Sequence, residues 1–222
     1  MINTLFTKKQ ILILFLFLIF ISPFAQANLA LSNVVIVFKD NKKLREDIEI
    51  RNTSKETMYV QVTPQIVKNP GTDKQTRHGY TNPRQAGLLV TPNKLIIPAG
   101  GKKLLRFMNL SPGRIEEGVY RVTVSPVPAP VNIQQQSDEV ITGLKIIVAY
   151  EVLVLIQPVN PKENLVASRK HKQITFTNKG NINTRLRFGV QCPGKDPKSK
   201  DCRELPGKRL YPGNQLTQTL PY

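Results

Sequence analysis

The sequence predicts an all-β fold. Short runs of alternating apolar and polar residues recur at the length and spacing of strands, and no run shows the 3.6-residue period of an amphipathic helix. Proline and glycine separate these runs, most densely in residues 69–87 and 97–101. Such punctuation is typical of turns between strands.

The first set of predicted strands runs from residue 33 to residue 127. In chain order these strands are 33–38 (NVVIVF), 44–52 (LREDIEIRN), 58–67 (MYVQVTPQIV), 93–100 (NKLIIPAG), 102–110 (KKLLRFMNL) and 118–127 (GVYRVTVSPV). A seventh strand follows at 140–158. Seven short strands with turn signals in about 130 residues are typical of an immunoglobulin-like sandwich.

The seventh predicted strand, 140–158 (VITGLKIIVAYEVLVLIQP), is apolar at almost every position. A membrane helix needs about 20 largely uncharged residues, whereas Lys145 and Glu151 interrupt this stretch and its β-branched residues nearly alternate. The stretch therefore predicts a long strand, and an edge this apolar has to be covered by something.

A proline-rich hinge at 157–164 (QPVNPKEN) precedes a second predicted unit. Its strands are predicted at 172–180, 183–192, 203–207 and 208–220. We expect a first domain over 28–157 and a smaller β domain over 158–222. The second is small for a sandwich, so either it is a reduced domain that depends on a disulfide, or its final strands lie beyond Tyr222; the missing closing strand favours the latter.

The first 27 residues have the pattern of a secretory signal peptide. Lys8 and Lys9 precede an apolar run at 11–21, and Ala25-Gln26-Ala27 forms a small-x-small cleavage site. A membrane anchor is the weaker interpretation, because the run is short and ends in a cleavage motif. We expect cleavage after Ala27 and export to the periplasm.

The protein is strongly basic, with a formal net charge of +17. The predicted leader carries two lysines and no acidic residue, so the mature chain would carry +15. Export and the absence of an aromatic stacking platform among the basic residues argue against nucleic acid. A solvated basic surface that steers acidic partners is the interpretation that remains.

Two cysteines, Cys192 and Cys202, lie close together late in the chain. In an oxidising compartment they are expected to form a disulfide. A metal site would need further ligands, and neither His78 nor His171 has ligand spacing to the cysteines.

Motifs that carry enzymatic chemistry are missing from the sequence. It contains no G-x-S-x-G, no P-loop, no H-E-x-x-H and no G-x-G-x-x-G after a predicted strand. Two histidines leave little for general acid–base catalysis. We expect a binding protein without catalytic residues, cofactor or metal.

Several segments of the sequence match the motifs of one family, and they occur in the same order along the chain. LLVTPNKLIIPAGGKKLLRF (88–107) is the most specific; KNPG (68–71), EGVYRV (117–122), TNKGNINTRLRFGVQC (177–192) and LYPG (210–213) follow the same family pattern. The chain resembles the periplasmic PapD-like pilus chaperones of the chaperone–usher pathway. Within that family it is most similar to the alternate-chaperone branch that serves alpha-type fimbriae and includes the CfaA-like and EcpB-like proteins.

The resemblance implies two immunoglobulin-like domains at an angle, with fimbrial subunits bound along the cleft between them. Such subunits lack their last strand, and the chaperone lends one of its own before an outer-membrane usher receives the complex. The stretch 140–158 would be this donor strand, with Leu144, Ile146 and Val148 entering the subunit. In this case the opposite face, with Lys145, Ile147 and Ala149, would pack inside the chaperone's own sandwich. The alternative is that Leu144, Ile146 and Val148 themselves fill that sandwich.

The chain departs from the family at one important place. An arginine and a lysine usually bind the terminal carboxylate of the fimbrial subunit, and Val35 and Leu153 occupy those positions here. An unpaired buried carboxylate is costly, so another cation is needed. Arg121 is the first candidate, followed by Arg106 and Lys145.

A second function from a different class remains open. The chain could be a structural or adhesive subunit on the surface of a pilus, but such a subunit would carry an N-terminal donor extension, and here the predicted cleavage site leads almost directly into the first strand. An empty chaperone would leave its apolar edge exposed, and a self-capping homodimer would cover that edge.

Overall fold

The computed structural model describes residues 28–39, 43–127, 147–194, 196 and 199–221. The strands of the first part are β1 (Leu29–Leu31), β2 (Val35–Phe38), β3 (Arg45–Asn52), β4 (Met58–Lys68), β5 (Thr76–Gly79), β6 (Leu88–Thr91), β7 (Lys94–Ile97), β8 (Lys102–Asn109), β9 (Gly118–Val127) and β10 (Tyr150–Ile156). The strands of the second part are β11 (Leu165–Lys170), β12 (Gln173–Asn178), β13 (Thr184–Arg185), β14 (Gly189–Gln191), β15 (Arg203–Leu205), β16 (Arg209–Leu210) and β17 (Gln215–Thr219). The predicted all-β class is confirmed.

One short helix, α1 (Pro83–Ala86), interrupts the strands of the first part. The side chain of Asn82 caps it by accepting from the backbone N–H groups of Arg84 and Gln85, and Gly87 ends it with a φ of 85°. In the described ranges no helix is long and apolar enough to span a bilayer.

The first part is a sandwich of two sheets. One sheet has the order β1-β3-β8-β6, and the other has the order β2-β10-β9-β4-β5, with β7 also pairing with β4. Alternate residues of both sheets point inward and form one apolar cluster, as period-2 strands require. The largest fully buried side chains in this cluster are Tyr120, Phe107, Ile48, Ile50, Leu88, Ile97, Leu105 and Ile156.

The beginning of the chain crosses from one sheet to the other. β1 pairs antiparallel with β3, whereas β2 pairs in parallel with β10. β2 covers β10 only from Leu153 to Ile156, while β9 pairs with β10 along Tyr150–Ile156. In the described part of the chain, the first three residues of β10 are therefore paired on one side only.

The predicted strand 140–158 is shorter where the structure describes it. β10 occupies Tyr150–Ile156, and residues 147–149 precede it without strand pairing. Residues 140–146 lie outside the described ranges. The predicted strand is therefore confirmed over Tyr150–Ile156 and not over residues 147–149.

The segment 69–87, predicted to be a turn region, contains β5 and α1. β5 is exposed at all four positions, so it has no buried face and no apolar alternation to reveal it. β1, β6 and β11 were also not predicted, because each is short or largely exposed.

The second part is built from three small sheets, β11-β12-β17, β13-β16 and β14-β15. The predicted strand 183–192 is divided into β13 and β14, and 208–220 is divided into β16 and β17. The latter break is a turn in which the backbone N–H of Asn214 donates to the carbonyl of Tyr211 at 3.0 Å, with Gly213 at a φ of 78°. A disulfide joins Cys192 to Cys202, as predicted.

Tyr211 joins the second part to the first. Tyr211 is buried in one apolar cluster with Val67, Val119, Leu153 and Leu155, on the outer face of the sheet that contains β10. This face would otherwise expose apolar side chains to water.

Candidate functional site

The two faces of β10 have different roles. Val152, Val154 and Ile156 point into the sandwich core, whereas Leu153 and Leu155 lie in the cluster that Tyr211 covers. Glu151 follows the same alternation and lies on the face of Leu153. Along β10, this outer face thus changes from apolar at the junction to charged at the beginning of the strand.

The two positions expected to lack the usual anchor cations are neighbours in the structure. Val35 of β2 is the register partner of Leu153. Leu153 is almost fully buried, and Val35 is partly exposed. Neither side chain can bind an anion, so any carboxylate held here needs a cation from another strand.

Arg121 is the candidate cation that the structure places beside these two residues. It lies on β9 directly opposite Leu153, with Gln65 of β4 as its partner on the other side. Its side chain is 30% exposed, and Nη1 lies 3.4 Å from Oε2 of Glu151. A half-buried guanidinium therefore borders the apolar junction.

A second arginine, Arg77 of β5, contacts the same glutamate. Its Nη1 donates to Oε1 of Glu151, and its Nη2 donates to Oε2 at 3.4 Å. Two guanidinium groups thus share one carboxylate, and the group carries one net positive charge. Sequence reasoning missed Arg77, because it lies in a segment predicted to be a turn and 74 residues from its partner.

The second part of the chain contributes a hydrogen-bond network to Glu117, the residue that directly precedes β9. Asn183 donates from its backbone N–H and from Nδ2 to the carboxylate of Glu117, at 2.9 and 2.6 Å. Arg209 in turn donates from Nη1 to Oδ1 of Asn183. Burial raises the pKa of Glu117, and the bonds from Asn183 and the charge of Arg209 oppose that rise.

The pKa of the Tyr211 hydroxyl is shifted by burial and by charged side chains. Burial raises the pKa of its hydroxyl, while Arg209 and Arg121 act in the opposite direction. Arg209 lies on β16, directly before Tyr211 in the chain, and Arg121 lies on β9 opposite Leu153, which belongs to the same apolar cluster as Tyr211. The outer face of β9 and β10, with Tyr211 and Arg209 beside it, forms what we call the cleft.

The other candidate anchors lie elsewhere. Arg106 is on β8 in the opposite sheet, where its Nε donates to Oδ1 of Asp47 at 3.1 Å. Hydrogen bonds from Arg45 and Arg106 hold the pKa of Asp47 well below its usual range. Lys145 lies outside the described ranges. Arg121 is therefore the one candidate that the described structure brings to the cleft.

The predicted donor residues are only partly described. Leu144 and Ile146 lie outside the described ranges, and Val148 is 52% exposed. Ile147, on the alternate face, is 46% exposed. The choice between the two faces of this segment therefore remains a prediction.

Metal binding finds no support in the described residues, which contain no group of three histidine, cysteine, aspartate or glutamate side chains arranged to hold an ion. The group of Arg77, Arg121 and Glu151 is instead suited to binding an anion, because guanidinium N–H groups can pair with a carboxylate through parallel hydrogen bonds.

Comparison with known proteins finds a matching family and similar fimbrial proteins. The family described as pili and flagellar-assembly chaperones, PapD N-terminal domain, matches residues 28–162. A CS1 fimbrial subunit of Escherichia coli is 29% identical over 206 residues, covering 91% of this chain and 85% of that protein. A CFA/I fimbrial subunit of Escherichia coli is 28% identical over 169 residues, covering 75% of this chain and 70% of that protein.

Solved structures agree over most of both chains. The class 5 fimbriae chaperone CfaA is 25% identical with a TM-score of 0.63, covering 85% of this chain and 84% of CfaA. The Escherichia coli chaperone DraB, at 16% identity and a TM-score of 0.57 over 87% of this chain and 85% of DraB, shares the fold. This chain therefore belongs to the family of pili and flagellar-assembly chaperones that carry the PapD N-terminal domain.

Proposed function

We propose that this protein is a periplasmic chaperone that binds fimbrial subunits by donor-strand complementation and delivers them to an outer-membrane usher. The domain limits 28–157 and 158–222 and a signal peptide cleaved after Ala27 are part of this proposal. One observation carries it: among the described residues, the beginning of β10 is paired on one side only, directly beside Arg121. The role is that of a binding protein, without a cofactor.

The one-sided pairing of β10 gives an incoming strand a place to bind. Unpaired N–H and C=O groups at a sheet edge can form a ladder with a strand from a partner. The proposed donor residues Leu144, Ile146 and Val148 precede this edge, and each would contribute about 1.5–3 kcal/mol when buried in the fimbrial partner. Backbone pairing gives affinity, and the alternate side chains give register.

The donor strand can be tested with one substitution and one matched control. Ile146→Asp would bury an unpaired charge in the groove of the fimbrial partner, so a tagged chaperone should recover no fimbrial subunit from the periplasm of fimbriated cells. Ile96→Asp places the same charge at a position that is 58% exposed, and its recovery of fimbrial subunits should equal that of wild type.

Two outcomes would contradict the donor-strand assignment. Normal recovery of fimbrial subunits with Ile146→Asp would exclude this residue from the interface. Unfolding of the first domain would mean that Ile146 faces the chaperone's own core and that the register is wrong by one residue. Recovery of the protein in sheared surface fimbriae, and not in the periplasmic fraction, would favour a pilus subunit.

Arg121 is proposed to bind the terminal carboxylate of the fimbrial subunit. It borders an apolar surface, where a charge-assisted bond is stronger than in water, and its loss should lower affinity at least tenfold. Arg121→Lys should recover part of this affinity, because a lysine cannot form two parallel bonds. Arg106→Ala should bind as wild type does, because Arg106 pairs with Asp47 on the other sheet.

A purified chaperone and a defined peptide measure the anchor directly. The probe is an acetylated peptide of alternating valine and threonine that ends in a free carboxylate, and the control peptide ends in an amide. Wild type should bind the carboxylate form more tightly, and Arg121→Ala should bind both forms equally. Retention of the preference by Arg121→Ala, or its loss with Arg106→Ala, would assign the anchor elsewhere.

A further inference from the structure

Arg77, Glu151 and Arg121 form a group in which the glutamate is shared unequally. Arg77 donates from Nη1 and Nη2 to both oxygens of Glu151, whereas Arg121 reaches one oxygen with one nitrogen, Nη1, at 3.4 Å. A guanidinium has five N–H groups in a planar fork. Glu151 therefore does not occupy the remaining N–H groups of Arg121, and these groups could donate to the carboxylate of a ligand.

Glu151 is also the natural competitor for Arg121. The two residues are diagonal neighbours on the same face, since Glu151 pairs with Thr123 and Leu153 pairs with Arg121. If nothing else held the glutamate, its carboxylate could form the same paired hydrogen bonds with Arg121 that a ligand carboxylate would form. An internal carboxylate at this distance would then exclude an external one.

Stability alone does not explain the arrangement. The side chains of Arg77, Glu151 and Arg121 are 39%, 33% and 30% exposed. Ion pairs with this much solvent contribute little to folding, about 0–1 kcal/mol. Their effect on a ligand can be larger, because a like charge placed beside an anion site costs binding free energy directly.

We propose that Arg77 is a positioning residue, which holds Glu151 and so keeps the Arg121 guanidinium available for the carboxylate of a bound fimbrial subunit. The inference rests on the proposed function of the cleft. Arg77 itself does not need to touch the ligand. Its effect should depend entirely on Glu151, which distinguishes it from a second anchor and from a structural residue.

A double-mutant cycle tests this dependence. The readout is the ratio of dissociation constants for the amide and carboxylate forms of the valine–threonine peptide, measured with the purified mature protein. Arg77→Gln should lose most of a roughly tenfold preference for the carboxylate, because Glu151 then pairs with Arg121. Glu151→Gln should prefer the carboxylate at least as strongly as wild type, because the competing charge is gone.

The decisive variant is Arg77→Gln combined with Glu151→Gln. We expect it to recover at least the wild-type preference, since neither the competitor nor the residue that restrains it is present. A preference that stays lost in the double variant would show that Arg77 acts in some other way. A wild-type preference in Arg77→Gln, or a weakened one in Glu151→Gln, would also overturn the inference.

Failure of this inference can be distinguished from failure of the proposed anchor. Equal binding of the two peptides by wild type, or an unchanged preference in Arg121→Ala, would contradict the anchor itself. Loss of the preference in Arg121→Ala together with its retention in Arg77→Gln would contradict only the role of Arg77. Recovery in the double variant would exclude misfolding as the cause of any loss in Arg77→Gln.

Discussion

The two parts of the molecule are held together by different interactions. The first is a sandwich whose two sheets share one large apolar cluster. In the second, the buried apolar residues are Ile182, Leu210, Tyr211 and Leu220, and a disulfide joins Cys192 to Cys202. A small domain buries a smaller fraction of its surface on folding than a large one does, so packing alone leaves it only marginally stable. We therefore expect the second part to depend also on its crosslink, on buried hydrogen bonds and on contact with the first.

A buried asparagine at the end of a strand occurs in both parts. Nδ2 of Asn52 donates to the carbonyls of Ile97 and Pro98, both at 3.0 Å. Nδ2 of Asn178 donates to the carbonyls of Ile182 and Leu210, at 2.8 and 3.0 Å. In the first part these buried hydrogen bonds add to a large apolar core, whereas in the second part they accompany a much smaller one. The comparison predicts that equivalent damage has different consequences in the two parts.

The largest effect is expected from the core of the first part. Phe107 is fully buried between the sheets, and Phe107→Ala should lower the free energy of unfolding by about 3–5 kcal/mol. Leu104 on the same strand is 56% exposed, so Leu104→Ala should change stability by less than about 0.5 kcal/mol. Chemical denaturation of both variants measures the difference, and equal losses would contradict the assigned core.

The next effect should come from Tyr211, which belongs to the second part but packs on the first. Tyr211→Ala should cost about 3 kcal/mol, because it removes a buried ring. Amide hydrogen exchange should accelerate in β11, β12 and β17 more than in the sandwich. Phe188→Ala, at an aromatic residue that is 78% exposed, is the control and should leave exchange unchanged. A uniform acceleration would mean that the two parts unfold as one unit.

Removal of the disulfide should have a smaller and more local effect. Replacing Cys192 and Cys202 with serine reopens a loop with a sequence separation of 10, which should cost about 2–3 kcal/mol. Exchange should increase around β14 and β15 and remain unchanged in β3, β8 and β9. If the sandwich loosened as much as the second part, the proposed difference between them would be wrong. Non-reducing mass spectrometry that found both thiols free would refute the pairing.

The smallest effect should be a pH dependence of the junction. Burial raises the pKa of Glu117 in the folded protein, so its contribution to stability is present below about pH 4.5 and is lost as the pH rises through the folded pKa. The free energy of unfolding of wild type, relative to that of Glu117→Gln, should therefore fall as the pH increases from about 4 to 7. An opposite slope would mean that the bonds from Asn183 outweigh burial.

The fold class and most of the long strands could be predicted from the sequence alone. β3, β4, β8 and β9 were predicted nearly to their ends, because period-2 alternation records which side chains face the core. The disulfide also followed from the sequence, since spacing and compartment leave few alternatives. The sequence also shows that Val35 and Leu153 are not cations, because residue identity needs no structure. That these two residues occupy the anchor positions of the family stays a prediction.

The strands that lie side by side became known only from the three-dimensional structure. β1 and β2 cross to different sheets, and the start of β10 is paired on one side only within the described ranges. Both features depend on sheet order, which no local pattern encodes. The contact of Arg77 with Glu151 has the same origin: the two residues are 74 positions apart, and β5 is exposed along its length. Periodicity reports burial within a strand, whereas a charged cleft is formed by neighbours from distant strands.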